Sequence, residues 1–380
     1  MKRLILLIIT CYGLLLGYAN TDTASDSLLQ MLQTLPHDTT RLSTLNAIIK
    51  IEQNNYKCIQ YSDTLMLEAL KLKNDKYASL AAYYHLLYYY NRCEQDSVAK
   101  WIVKMEPLVQ KSGLWDYFFD ARRFQIDLYT FTEQYELAIS EANKMKQKAL
   151  DIDNNRGMVA AYQCLSNAYI GSQRWDEGLK ALEEAYRLLP KNGNAVVRIS
   201  VLSQLISVTK EMKDNNRQLK YLQELENVLC KCIIDNPSLK DGFADVFIFN
   251  EIFYAHYYLN TDQPQLAYSH IEKSKKYLTE NTYFMYKVLY YDIYAKYYQS
   301  IKQYQQASAY IDTTLTMLKK DFTSDYAEQL LKQAKIWVEA GDNNRATTLY
   351  QQALAIKDSA AMALSNTQME QIKKSYNLDL

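Results

Sequence analysis

A pattern that returns about every 40 residues limits what this chain can fold into. Its clearest copy is 160–191, which reads AAYQCLSNAYIGSQRWDEGLKALEEAYRLLPK. Apolar residues recur at helical spacing on both sides of a polar break at 171–174, and Pro190 ends the second run. A helical hairpin with one apolar stripe cannot bury that stripe alone. The pattern therefore predicts a stack of similar hairpins.

Two positions of this pattern can be followed along the chain. Gly178, a small residue where the second helix approaches the first, has these counterparts: Cys58, Ala99, Ala138, Gln218, Ala267, Ala307 and Ala346. Tyr169, an aromatic residue late in the first helix, has these: Ile49, Tyr90, Tyr129, Thr209, Tyr258, Tyr298 and Trp337. Helices approach closely only where one side chain is small and a ring from the partner fills the groove. We therefore predict eight hairpins, at 39–72, 80–113, 119–152, 159–192, 199–232, 248–281, 288–321 and 327–360.

The bulky residues, paired small residues and terminal proline of 160–191 closely resemble the tetratricopeptide (TPR) motif. The resemblance extends over 39–360. It implies an all-α fold, a right-handed superhelical solenoid of about eight TPR-like helical hairpins with a period near 40 residues. TPR arrays serve many partners, so the resemblance indicates a fold more than a function.

The N-terminus has the features of a secretory signal peptide. Lys2 and Arg3 precede an apolar run over 4–16, and small residues flank Tyr18. We predict a signal peptide over 1–19 that is cleaved after Ala19, and export to the periplasm or cell envelope. An uncleaved membrane anchor is the alternative.

Three segments depart from the repeat. Residues 20–38 are polar and predict a poorly ordered N-terminal segment. An extra loop makes 233–247 the candidate for a bend in the array. Residues 361–380 predict a C-terminal helix that either caps the last hairpin or forms a stalk. Its stripe consists of Met362, Met369, Ile372 and Tyr376.

Composition and motifs argue against several function classes. Lys and Arg total 43, as do Asp and Glu, so the formal charge of zero gives no electrostatic basis for nucleic-acid binding. The nine glycines form no phosphate-binding loop, and the four histidines form no metal-binding helix motif. The five cysteines after the signal peptide are scattered, which argues against a disulfide framework. We expect no catalytic residues, cofactor or metal, and therefore no enzyme.

Candidate ligand contacts follow from the resemblance. In TPR proteins the first helix of each hairpin lines the concave surface, and this register implies a mixed polar and aromatic face. It comprises Tyr84, Tyr88, Asn91, Arg123, Asp127, Gln163, Asn167, Lys210, His256, Asp292, Lys296 and Lys335. Such a surface suits an extended peptide or a partner helix. The Lys/Asn arrangement with which some TPR domains hold a C-terminal carboxylate is not reproduced.

Three functions remain open. The first is a non-enzymatic scaffold in the cell envelope that binds a protein or peptide. The second follows from a narrower resemblance, to the periplasmic TPR sensor regions of Bacteroides-type histidine kinases and transcriptional regulators. It implies an extracytoplasmic sensor module whose output domain is absent or lies on a separate chain, with a membrane-bound signalling partner. The third is glycan binding on the tyrosines, of which there are 34.

Overall fold

The computed structural model describes residues 21–52, 55–190, 193–318 and 323–375. These ranges hold seventeen α-helices, two 3-10 turns and no β-strand. The predicted signal peptide lies outside the described residues. The chain divides into two compact units, of which one ends at Gly193 and the other begins at Asn194. The units are called the N-terminal unit and the C-terminal unit below.

The N-terminal unit contains nine helices in its described residues. They are α1 (Thr21–Thr34), α2 (Thr39–Ile51), α3 (Lys57–Lys71), α4 (Asp75–Tyr90), α5 (Gln95–Ser112), α6 (Trp115–Phe131), α7 (Tyr135–Asp151), α8 (Asn155–Gly171) and α9 (Trp175–Leu188). Helix α1 forms where the sequence analysis expects a poorly ordered segment. Leu32 of α1 packs against the core cluster that includes Leu42 and Leu45, which explains why this polar stretch is helical.

The C-terminal unit contains eight helices in its described residues. They are α10 (Ala195–Glu211), α11 (Asn215–Asp235), α12 (Ala244–Asn260), α13 (Pro264–Lys275), α14 (Phe284–Ser300), α15 (Tyr304–Leu318), α16 (Thr323–Glu339) and α17 (Asn343–Ser375). The loop between α11 and α12 forms two 3-10 turns, at Pro237–Leu239 and Asp241–Phe243. The bend expected at 233–247 stays a prediction, and the segment concerned lies within this unit.

The eight predicted hairpins are confirmed as the helix pairs α2/α3 to α16/α17. Small residues do lie where the paired helices approach. A Cβ atom added to Gly178 would come within 2.7 Å of Ile170 Cγ1 in the first helix of the same hairpin. Ala138, Ala267 and Ala307 are fully buried at the equivalent point. In most hairpins the close approach thus rests on one small side chain, as the pattern predicts, whereas the hairpin α10/α11 buries Gln218 at this position.

A recurring turn joins the two helices of a hairpin. One residue adopts a left-handed conformation, with φ between 57° and 82°, in seven hairpins: Cys93, Glu133, Gln173, Lys213, Asp262, Lys302 and Gly341. The amide of the next residue then bonds to a carbonyl five residues earlier, as Arg174 N does to Tyr169 O at 2.8 Å. This is the Schellman end of a helix. In the other six turns the acceptors are Tyr89, Tyr129, Thr209, Tyr258, Tyr298 and Trp337.

The turn corrects the register of one hairpin. Cys93 is its left-handed residue and Tyr89 its carbonyl acceptor, so Tyr89 and not Tyr90 corresponds to Tyr169. Likewise Val98 is fully buried in α5 whereas Ala99 is not, so the small-residue position holds a valine. A run of three tyrosines made the aromatic position ambiguous in the sequence.

The last helix is longer than predicted for a hairpin. Helix α17 continues without a break to Ser375, so the predicted C-terminal helix is an extension of the last hairpin. The Met362 side chain is 69% exposed. The side chains of Met369 and Ile372, and all of Tyr376, lie outside the described part of the chain. The alternatives of a cap and a stalk both stay predictions.

Candidate functional site

Polar side chains on neighbouring first helices contact each other. Lys296 Nζ lies 3.3 Å from His256 Nδ1, and Lys332 Nζ donates to Asp292 Oδ1 at 2.5 Å. Gln299 Nε2 donates to Glu339 Oε1 at 2.8 Å. In each pair the two residues are 40 positions apart. The first helices of the C-terminal unit therefore present one shared polar face.

This face surrounds a cavity of about 530 Å³ in the C-terminal unit. Helices α10, α12, α14 and α16 supply most of its lining, with Ile311 from α15. Five of the predicted contact residues line it: Lys210, His256, Asp292, Lys296 and Lys335. The other lining residues are Glu211, Lys213, Asn215, Asn260, Ala295, Gln299, Ile311, Lys332 and Ile336. The volume is within the range of small-molecule and short-peptide sites.

Two lysines of the cavity are paired with carboxylates. Lys210 Nζ donates to Glu211 Oε1 at 2.8 Å, and Lys332 is bound to Asp292. Burial alone would raise the pKa of the Asp292 carboxyl, but Lys332 outweighs burial and holds that pKa below its usual range. The Gln329 amide supports the pair in the orientation that satisfies its hydrogen bonds, in which its nitrogen donates to Asp292 Oδ1 at 3.1 Å and its oxygen accepts from Lys332 Nζ at 3.2 Å. Asp292 is therefore ionised at neutral pH.

Lys296 has a different environment. Its ammonium donates to Asn260 Oδ1 at 2.7 Å and faces His256, and neither partner is a carboxylate. Burial, together with the charges of Lys210 and Lys332, lowers the pKa of Lys296 to about 8. Burial and the same lysines hold the pKa of His256 well below its ordinary value. His256 is thus neutral, and its Nδ1 can accept a hydrogen bond from Lys296.

Lys332 and Asn260 were missed by the sequence analysis. Lys332 lies five residues before the aromatic position Trp337, and Asn260 lies two residues after Tyr258. The set of predicted contacts included other positions on these first helices but not these two. The repeat period could have identified Lys332, because Lys332 follows the predicted contact Asp292 by 40 residues.

Four of the predicted contacts, all in the N-terminal unit, form a separate polar cluster. The Asn167 side chain is hydrogen-bonded to Asp127, and the Arg123 charge is close to the same carboxyl. Burial raises the pKa of Asp127 to about 6 against these two interactions. Gln163 is buried nearby on the same helix as Asn167. These four side chains are therefore largely enclosed by the protein.

The three remaining predicted contacts come from the hairpin with the shifted register. Tyr84 and Tyr88 are 4% and 8% exposed, so their rings belong to the core and not to an open surface. Tyr84 Oη donates to Asn46 Oδ1 at 3.0 Å, and the Arg92 guanidinium lies 3.5 Å from the centre of the Tyr88 ring. Asn91 follows Tyr90 as the cap of α4. The shift of one residue explains why these tyrosines face inward.

Across the described ranges, no three side chains of His, Cys, Asp or Glu lie close enough together to hold a metal ion. In the same ranges, no helix combines the length and apolarity needed to cross a membrane.

No family model and no curated protein matches this sequence. Solved structures are similar in fold. A Rap protein complexed with Competence and Sporulation Factor aligns over 95% of this chain and 97% of its own, with a TM-score of 0.58 and 11% identity. The apo form of the quorum sensor NprR from B. thuringiensis aligns over 87% of this chain and 92% of its own, with a TM-score of 0.57 and 14% identity.

Two further similar structures have other descriptions. Aspartyl phosphate phosphatase F from Bacillus subtilis covers 94% of this chain and 93% of its own, with a TM-score of 0.56 and 12% identity. A signal-transduction ATPase from Pyrococcus horikoshii with a tetratricopeptide repeat sensor covers 93% of this chain and 54% of its own, with a TM-score of 0.52 and 15% identity. Identities this low show the fold alone. The chain is a helical repeat protein with a TPR-type fold.

Proposed function

We propose that this protein is a non-enzymatic scaffold of the cell envelope that binds a peptide or protein segment in the cavity of the C-terminal unit. The observation that carries the proposal is the cavity itself. Four successive first helices converge on it, and its wall combines apolar Ala295, Ile311 and Ile336 with charged side chains. A wall of this mixed polar and apolar character suits an extended peptide.

Two of the similar structures support the proposal by analogy. One is described as a quorum sensor, and another is complexed with a factor. Both align over most of this chain. Lys210, Lys296 and Lys332 on the cavity wall are held by hydrogen bonds to neighbouring side chains, which suits a preformed binding site. Export is proposed from the N-terminal sequence pattern.

Site-specific photocrosslinking tests the proposal. A benzoylphenylalanine at Gln299, on the cavity, would be compared with one at Lys273, an exposed position on α13. The protein without its signal peptide would be irradiated in envelope extract of the source organism. We expect defined adducts from position 299 and none of the same mass from position 273. Absence of adducts from both positions, or identical adducts, would contradict binding in the cavity.

A role as an extracytoplasmic sensor module is the second candidate. The observation that favours it is the unbroken run of α17 from the last hairpin to Ser375, because one helix can transmit a displacement along its axis. The output domain would lie on a membrane-bound partner. Deletion of 361–380 should then abolish the signalling output and leave the crosslinks at position 299 intact. Loss of both would indicate a cap that stabilises the last hairpin.

A further inference from the structure

We propose that the cavity of the C-terminal unit recognises one carboxylate, supplied by an acidic side chain within a bound peptide, and that Lys296 is the residue that pairs with it. The inference rests on the proposed peptide-binding function and names the chemistry of the ligand.

The inner charges of the cavity leave one ammonium without a counter-charge. Lys210 is paired with Glu211, and Lys332 is paired with Asp292. The hydrogen-bond partners of Lys296 are a neutral amide and a neutral imidazole. The five charged lining residues that are not exposed, Lys210, Glu211, Asp292, Lys296 and Lys332, therefore carry a net charge of one. Lys213 and Lys335 also line the cavity but are exposed, where water screens their charge. The non-exposed groups match a carboxylate better than a doubly charged phosphate.

The side chains available also favour a carboxylate. The lining contains lysines and amides but no arginine, and arginine is the residue that holds a phosphate through two parallel hydrogen bonds. Lys296 can direct a third proton of its ammonium at a ligand, because two of its three are directed at Asn260 and His256. Ala295 and Ile336 lie on the same cavity, so an aliphatic neighbour of the acidic residue would also be accommodated.

Burial makes this charge costly until a ligand arrives. The lowered pKa of Lys296 reflects burial and repulsion by Lys210 and Lys332, opposed by Asp292 and Glu211. His256 faces the same ammonium and is neutral, so it adds no charge. A carboxylate beside Lys296 would raise the lysine's pKa again. Binding should therefore take up a proton at pH values near and above 8, where unliganded Lys296 is partly neutral.

Two pools of short peptides with randomised sequence and amidated C-termini provide the probe. The acidic pool has Asp or Glu at one fixed position, and the matched pool has Asn or Gln there. Binding of each labelled pool to the protein without its signal peptide is measured by fluorescence anisotropy. We expect the acidic pool to bind about tenfold more tightly, the effect of one charge-assisted hydrogen bond.

Variants connect that preference with Lys296. Lys296→Met should abolish it, and Lys296→Arg, which keeps the charge, should retain most of it. Lys273→Met removes a lysine outside the cavity of the same unit and should behave as wild type. The thermal melt of each variant shows whether it is folded. Equal preference in folded Lys296→Met protein would overturn the assignment of Lys296.

Other outcomes separate this inference from the proposed function. Equal binding of both pools would overturn carboxylate recognition and leave peptide binding intact. Tighter binding of a neutral pool with free C-termini than of the amidated acidic pool would place a terminal carboxylate in the site and overturn the assignment to a side chain. Full displacement of the acidic pool by succinate at equal concentration would indicate a small-molecule site. Binding of none of the pools would overturn both proposals.

Discussion

Lys296 and His256, 40 residues apart on neighbouring first helices, face each other with Nζ 3.3 Å from Nδ1. The contact places a partly buried ammonium against a neutral ring. Burial lowers the pKa of both groups, and the positive charges of Lys210 and Lys332 lower each further. The charged form of either side chain is therefore unfavourable at this position. A negatively charged ligand beside Lys296 would favour the charged form of the lysine.

Lys296 should make the unliganded protein more stable as pH rises above 8. The folded-state pKa is about 8 and the ordinary value is 10.5, so the unfolded chain binds more protons between these values. Stability then increases with pH across that window. Urea unfolding should show the increase in wild type and a smaller one in Lys296→Met. The exposed-site variant Lys273→Met should keep the wild-type slope. Parallel slopes in all three proteins would count against a buried, charged Lys296.

His256 should make the protein sensitive to acid. The pKa of its ring is lowered in the folded state, so at pH values below the ordinary value of 6.5 the unfolded chain binds more protons. The free energy of unfolding should therefore decrease as the pH is lowered. His256→Gln keeps an acceptor for Lys296 and cannot be protonated. It should reduce the slope by at most about 1.4 kcal/mol per pH unit. His37, whose side chain is 77% exposed, provides the control substitution His37→Gln. An unchanged slope in His256→Gln would refute this origin of the acid sensitivity.

Much of the fold could be predicted from the sequence because packing in a hairpin needs specific side chains at fixed positions. Gly178 and Ala307 are buried where the helices meet, and all eight hairpins are present. The residues with left-handed backbone conformation could not be recognised from their amino-acid type, because most of them, such as Gln173 and Lys213, are not glycine. Their conformation is set by the Schellman bond at the end of the first helix and not by their own preference.

The site was less predictable. A face of a helix can be assigned from the repeat register, which placed Lys210, Asp292 and Lys296 on one cavity. The register of one hairpin was wrong by one residue, so Tyr84 and Tyr88 were predicted to lie on the concave surface although they belong to the core. One residue is enough because neighbouring positions on a helix point about 100° apart. Which lysines find a carboxylate depends on contacts between helices 40 residues apart, and no local motif encodes them.

Asn167 should control the protonation of Asp127 in the N-terminal unit. Burial raises the pKa of Asp127 to about 6, and the hydrogen bond from Asn167 opposes that rise. Asn167→Ala removes the hydrogen bond and should raise the pKa further. The carboxyl ¹³C shift of Asp127, followed against pH by NMR, measures it directly. Asn143→Ala, which removes an amide bonded to Ile139 O on α7, should leave the titration of Asp127 unchanged. A lower pKa in Asn167→Ala would be the contrary result.

The left-handed turn residues store strain that glycine should relieve. Gln173 has φ of 69°, a conformation that costs a residue with a Cβ atom about 1 kcal/mol or more. Glycine relieves this strain but loses more conformational entropy when the chain folds, by about 0.5–1 kcal/mol. Gln173→Gly should therefore stabilise the protein by a net amount of about 0.5–1 kcal/mol. The reverse change, Gly341→Ala at φ of 82°, should destabilise it. Chemical denaturation of both variants tests the pair. Destabilisation by Gln173→Gly would show that the glutamine side chain contributes more than the strain it causes.

Gly178 should tolerate no large side chain. An added Cβ atom would lie 2.7 Å from Ile170 Cγ1 and 3.3 Å from the Ser166 carbonyl oxygen, so one of the two helices must move. Gly178→Leu is expected to cost about 1–3 kcal/mol by overpacking, measured by urea unfolding. Gly242 is exposed and has no atom within 4 Å of an added Cβ, so Gly242→Leu should change the free energy of unfolding by no more than about 0.5 kcal/mol. Similar losses in the two variants would indicate a general penalty for replacing glycine. A loss confined to Gly178→Leu would show that the hairpin is closed by contact between Gly178 and the first helix.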